Sequence, residues 1–253
     1  MSRACRSITL VSPSAAERLL VALDVPSLDE AESLLARLEG LVTGCKIGSQ
    51  LFTAAGPAAI ERARKRGFRV FLDLKYHDIP NTVGAAVREA TRHGVFMLNL
   101  HASGGLAVMR AGAEAAAKGA RDFGMPRPLC IGVTVLTSLD RTTLQREVGV
   151  PSSVEAHVLH LAGVAREAGL DGCVASAHEI SPLRLAMGPE WIIVTPGIRP
   201  ATGEERRDDQ VRVATPRRAL AAGANYLVVG RPITGARDPA VAASAILAEL
   251  AAP

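Results

Sequence analysis

Aromatic residues are scarce: five Phe, two Tyr and one Trp make up 3% of the 253 residues. A track for nucleic acid needs clustered basic side chains, often interleaved with stacking rings. Here 29 Lys and Arg stand against 25 Asp and Glu, a net charge of +4, and the positive residues are scattered. Nucleic acid is therefore not an expected partner, whereas a small anion suits the balance. Long apolar runs are missing too. No stretch approaches the roughly 20 residues needed to cross a bilayer, so no membrane span is expected. Ile8-Thr9-Leu10-Val11 is shorter than the roughly 7–15 apolar residues of a signal-peptide core. Residues 1–17 read as a flexible N-terminal tail, followed by a single domain over 18–253.

Cysteine is sparse as well. Cys5, Cys45, Cys130 and Cys173 lie far apart without a C-x-x-C pair, which argues against a zinc site or a disulfide framework. Three of them fall in apolar runs, where a free cysteine behaves as a small hydrophobe, and a cytoplasmic location is expected. The histidines show no H-E-x-x-H spacing, no carboxylate trio points to a catalytic metal, and no G-x-S-x-G elbow occurs. No metal is expected.

What is present is a regular alternation. Apolar residues reach 48%, and short Val-, Ile- and Leu-rich runs recur at 19–23, 45–47, 69–74, 96–100, 129–135, 172–175, 191–194 and 226–229. Ala-rich amphipathic stretches lie near 28–39, 57–66, 82–93, 105–119, 153–168, 178–187, 216–222 and 239–250. Eight strands, each with a helix, in about 250 residues predict a (β/α)8 barrel. A doubly wound sheet would carry a glycine fingerprint after its first strand; here the first run leads into Asp24-Val25-Pro26.

In such barrels the chemistry sits at the C-terminal ends of the strands. Those ends carry Asp24, Lys46, Asp73 with Lys75, Asn99 with His101, Thr134 with Thr137, Ser176, Thr195, and Gly230 with Arg231. Asp73 and Lys75 are two apart and share a side of their strand. With Asp24 and Lys46 they predict two carboxylates and two ammonium groups around one rim. Asp78 completes a D-x-K-x-x-D pattern. Pro80 then imposes an extended Ile79, and Asn81 reads as the N-cap of a helix starting at Thr82. His101 suits a hydrogen-bonded strand end as well as a part in chemistry.

The loops after strands seven and eight, which commonly bind phosphate in these barrels, supply T-P-G-I-R-P (195–200) and V-G-R-P-I-T (229–234). Gly230 permits close approach of backbone to an anion, and Arg231 offers a planar fork for its oxygens. The irregular stretch 196–214 is long enough to read as a lid, with Gly197 and Gly203 as hinges.

The segment D-L-K-Y-H-D-I-P-N-T (73–82) closely resembles the signature of the orotidine 5′-phosphate decarboxylase family. V-A-L-D (21–24), K-I-G (46–48), N-L-H-A-S-G-G (99–105), V-T-V-L-T-S (133–138), T-P-G-I-R (195–199) and V-V-G-R-P-I-T (228–234) follow in that family's order and spacing. The resemblance implies a bacterial-type enzyme of pyrimidine biosynthesis that converts orotidine 5′-phosphate to uridine 5′-phosphate without a cofactor. It implies Lys75 as proton donor, Asp73 beside the departing carboxylate, and Lys46 and Asp78 completing an alternating set. It also implies a homodimer in which Asp78 and Thr82 reach the partner's site. Asp24 and Lys46 would touch the ribose, Thr137 and Pro196 the pyrimidine, and Arg199, Gln210, Gly230 and Arg231 the phosphate.

Two other readings stand beside it. A sugar-phosphate decarboxylase or aldolase of the same superfamily keeps Asp73, Lys75 and Asp78, but wants Mg²⁺ and has no use for Thr137 or Gln210. A catalytically inactive nucleotide-binding barrel is expected to have lost a charged residue, and here all are present.

Overall fold

The computed structural model describes residues 14–200 and 214–251. Its centre is a closed barrel of parallel strands in chain order: β1 (Leu19–Ala22), β2 (Gly44–Gly48), β3 (Arg69–Tyr76), β4 (Met97–His101), β5 (Leu129–Val133), β6 (Gly172–Val174), β7 (Ile192–Thr195) and β8 (Tyr226–Val229), with β8 returning to β1. This is the (β/α)8 barrel that the alternation of apolar runs predicts.

Around it lie α1 (Ala15–Arg18), α2 (Leu28–Leu38), α3 (Ser49–Ala55), α4 (Pro57–Lys65), α5 (Pro80–Arg92), α6 (Leu106–Phe123), α7 (Arg141–Arg146), α8 (Val154–Glu167), α9 (Ile180–Met187), α10 (Pro216–Ala221), α11 (Arg231–Thr234) and α12 (Pro239–Ala251). Among the described residues no helix is long and apolar enough to cross a membrane.

The alternation of side chains along each strand sorts the residues into two cores. Leu19, Val21, Cys45, Ile47, Val70, Leu72, Leu98, Cys130, Cys173 and Ile193 face outward and are buried beneath the helices. Leu20, Ala22, Phe71, Met97, Ile131, Val194, Tyr226 and Val228 face inward and fill the barrel. Lower down, Arg69 closes the floor: its guanidinium lies 4.4 Å from the centre of the Phe96 ring and donates to the Glu17 carbonyl and the Thr43 hydroxyl. The buried polar residues Asp73 and Asn99 follow Phe71 and Met97 by two positions on β3 and β4, and Lys46 lies on β2 between two glycines, Gly44 and Gly48.

Several elements differ from the sequence reading. Helix α1 begins inside the stretch read as a tail, because Ser14 and Glu17 form a reciprocal capping box. Helix α5 starts at Pro80, not Thr82. Ile79 is extended at φ −61° and ψ 156°, as its following proline requires. The fixed φ of proline suits the first helical position, so Asn81 falls inside the first turn and caps nothing. Helices α3 and α7 were not anticipated, and α3 stops at Gly56, whose φ of 57° favours glycine.

Candidate active site

The rim residues meet in a cavity of about 440 Å³ at the C-terminal mouth. Phe71, Val174, Val194 and Val228 form its apolar floor, and Asp24, Lys46, Asp73 and Lys75 form one charged wall. The charges are wired in series. Lys46 Nζ lies 2.9 Å from Asp24 Oδ1 and 3.2 Å from Asp73 Oδ2, and Lys75 Nζ lies 2.7 Å from Asp73 Oδ1. Register makes this possible: Lys46 is level with Ala22 and Phe71, two residues before the level of Gly48 and Asp73, so its long side chain reaches up to the carboxylates at the rim.

Burial sets the electrostatics. Desolvation alone would push the Asp73 carboxyl up, but the ammonium groups of Lys46 and Lys75 and hydrogen bonds from Lys75 and Asn99 outweigh it and hold it below the usual carboxylate range. Desolvation would likewise push Lys46 down, yet Asp73 and Asp24 hold its ammonium above the ordinary lysine value. Both groups are therefore ionised at neutral pH.

Thr137, Pro196, Gly197, Arg199, Gly230 and Arg231 line the rest of the same cavity. Arg231 opens α11 directly after β8. The chain after β7 is pinned at its base, where the Arg199 amide donates to the Ala214 carbonyl at 3.0 Å and the Ala214 amide to the Gly197 carbonyl at 3.3 Å. Gln210 and Gly203 lie outside the described residues.

Asp78 and Thr82 do not line this cavity. They border a neighbouring surface groove with Tyr76 and His77, and Lys75 borders both. Asp78 Oδ1 accepts from the Ile79 amide at 2.6 Å, which fixes the turn into α5. Three other strand-end residues have structural partners, whereas the buried Thr195 hydroxyl has no hydrogen-bond partner among the described residues. The Thr134 hydroxyl donates to the Val174 carbonyl, the Ser176 amide and hydroxyl donate to the Glu179 carboxylate, and His101 packs on His77 with ring centres 4.9 Å apart. Among the described residues no three His, Cys, Asp or Glu side chains are grouped to hold a metal ion.

Two contributors escaped the sequence reading of roles. A Cβ on Gly48 would lie 2.8 Å from Lys46 Nζ and 2.9 Å from Asp24 Oδ1, so glycine there makes room for that ion pair. Asn99, named only as a strand end, is fully buried and donates from Nδ2 to Asp73 Oδ1 at 2.7 Å. The motif K-I-G carried the first signal; nothing local carried the second.

A parallel barrel with a charged cavity at the C-terminal ends of its strands belongs to the class of (β/α)8 enzymes, whose catalytic groups occupy that face. Comparison with known proteins narrows the class. A family profile described as "Orotidine 5'-phosphate decarboxylase / HUMPS family" matches residues 17–246. A protein of Moorella thermoacetica named orotidine 5′-phosphate decarboxylase is 53% identical over 241 residues, covering 95% of each chain. One of the same name from Halorhodospira halophila is 51% identical over 237 residues, covering 93% of this chain and 96% of its own. The crystal structure of orotidine 5′-phosphate decarboxylase from Lactobacillus acidophilus superposes with a TM-score of 0.81 at 33% identity, over 93% of this chain and 100% of that one. The chain belongs to the orotidine 5′-phosphate decarboxylase / HUMPS family.

Proposed function

We propose that this chain is a carboxy-lyase that converts orotidine 5′-phosphate to uridine 5′-phosphate and CO₂ in pyrimidine biosynthesis. The observation that carries the reading is the series Asp24–Lys46–Asp73–Lys75 in a cavity that Thr137, Arg199 and Arg231 also line.

In the reaction, the bond from C6 of the pyrimidine to its carboxylate breaks, CO₂ leaves, and the electron pair stays on C6. That carbanion has no ring system to delocalise it. Lys75 stabilises the developing charge and then donates its proton to C6, becoming a neutral amine that solvent reprotonates. Asp73 stands beside the departing carboxylate and fixes Lys75 from the other side. The fixed charges do the work as a preorganised field, which needs no reorganisation when charge develops. No cofactor enters this scheme, so the roughly 8–23 kcal/mol by which enzymes lower barriers falls to positioning and electrostatics.

The remaining contacts anchor the substrate. Asp24 and Lys46 hold the ribose, Thr137 and Pro196 pack on the pyrimidine, and Arg199, Gly230, Arg231 and Gln210 grip the phosphate. Holding that non-reacting end supplies binding energy for assembling the site. The working unit is a cytoplasmic homodimer, with Asp78 and Thr82 supplied to the partner's site; their place on the outer groove leaves them available for that role.

Following the absorbance of orotidine 5′-phosphate with purified protein tests the reading. Turnover that survives exhaustive chelation is expected. Absence of turnover would refute it, and loss on chelation restored by Mg²⁺ would favour a sugar-phosphate relative's chemistry.

A further inference from the structure

Strand β3 breaks its register where the catalytic candidates lie. Leu72 pairs with Leu98 and Tyr76 with Leu100, so β3 advances four residues while β4 advances two. The extra residues form a bulge around Asp73-Leu74-Lys75, and bulges re-aim side chains at the rims of barrels. Within it Lys75 has a φ of 51°, the only positive φ of a non-glycine residue among those described. L-residues adopt that conformation rarely, and it persists where the surroundings over-determine it.

The Asn99 side chain occupies the gap. Its Oδ1 accepts from the Lys75 backbone amide at 2.8 Å, and its Nδ2 donates to Asp73 Oδ1 at 2.7 Å. Only one orientation of the amide satisfies both contacts, because a backbone N–H can only donate and a carboxylate can only accept. Lys75 Nζ donates to the same Asp73 oxygen at 2.7 Å. Three hydrogen bonds thus join the backbone of Lys75, the carboxylate of Asp73 and the ammonium of Lys75 into one closed unit. Asn99 is fully buried and does not line the cavity, so it reaches the reaction only through its two neighbours.

We propose that Asn99 is a positioning residue for the decarboxylation: it takes the place of the ladder bonds lost at the β3 bulge, holds Lys75 in its left-handed conformation and thereby sets the ammonium group beside Asp73. The inference rests on the decarboxylase reading above. Its consequence is selective. Disturbing Asn99 displaces the groups that act at the reacting carbon, while the phosphate-side residues on the loops after β7 and β8 stay where they are.

The test measures kcat and KM for orotidine 5′-phosphate, and Kd for uridine 5′-phosphate, in the wild-type chain, Asn99→Ala and Asn99→Asp. Asn99→Ala is expected to lower kcat about 100-fold, the scale set by a displacement near 1 Å, with KM and Kd within about threefold of wild type. Asn99→Asp keeps the acceptor for the Lys75 amide but loses the donor to Asp73 until its own carboxyl is protonated. Its kcat relative to wild type is therefore expected to rise as pH falls. Wild-type kcat in Asn99→Ala would overturn the inference, as would equal losses of kcat and product affinity, which mark general collapse of the mouth. Should Asn99→Ala fail to fold, a pH-independent ratio for Asn99→Asp overturns it alone. An inactive wild-type chain would instead bring down the decarboxylase reading, and the inference with it.

Discussion

Lys46 and Asp73 form the sealed half of the charged series: their side chains are 9% and 11% exposed and 3.2 Å apart, while their outer partners Asp24 and Lys75 are 53% and 38% exposed. The inner pair acts as a fixed dipole, and of the four groups lining the cavity the outer two are the more open. The signs follow from the shifted values. Asp73, held low, contributes stability above the ordinary carboxylate range and loses it as pH falls through the depressed value. Lys46, held high, contributes below the ordinary lysine value and loses it as pH rises through the raised one. The pair is thus ionised throughout the neutral range, and the lysine most open to a substrate is Lys75.

Gly48→Ala is expected to part Asp24 from Lys46, since the new methyl would lie within 3 Å of both. The lysine end is flexible, so the fold should survive. A fall in kcat/KM of about 100-fold is expected, with a near-native melting curve. Unchanged kcat/KM would show that the pair's geometry is not needed.

Arg231→Ala is expected to weaken binding of uridine 5′-phosphate by roughly 1.5–3 kcal/mol, the scale of a hydrogen bond to a charged group, while leaving uridine almost untouched. Calorimetry with both ligands checks this. Equal losses for nucleotide and nucleoside would remove the phosphate role.

Lys75→Ala is expected to abolish turnover and retain product binding. Co-expressed with Asp78→Asn, it should regain activity if Asp78 serves the partner chain, because half of the randomly mixed dimers then hold one intact site. About a quarter of wild-type activity per chain is the expected yield. If Asp78 works within its own chain, the mixture will be as inactive as its parents.

Burial, reinforced by the neighbouring His77 and Lys75 and only partly offset by Asp73, holds the His101 imidazole below its usual value. The unfolded chain then takes up this proton at a higher pH than the folded one, so stability falls as pH drops from about 6.5 towards the depressed value. His101→Gln should flatten that stretch of the curve of melting temperature against pH. An identical slope in both proteins would show that His101 does not titrate there.

Much of the barrel was legible because strands buried on both faces read as apolar runs; each of the eight observed strands begins within one residue of its predicted start. The charged rim was legible for the same reason, since Asp24 and the D-x-K pair interrupt such runs at their ends. Short helices were not. The six residues of α7 and the seven of α3 are too few for periodicity to reveal, and tertiary packing holds them. Nor was the role of Asn99 or Gly48, since each depends on which residue lies beside it on the neighbouring strand, and for Asn99 the β3 bulge alters that register.

The outward-facing thiols of Cys45, Cys130 and Cys173 are fully buried beneath the helical shell, and burial pushes each up to about 12. At neutral pH they are neither ionised nor reachable by a reagent, so alkylation of these sulfurs must wait for a helix to lift away from the strand beneath it. Their labelling rates therefore report, from three separate staves of the barrel, how often the outer layer opens under native conditions.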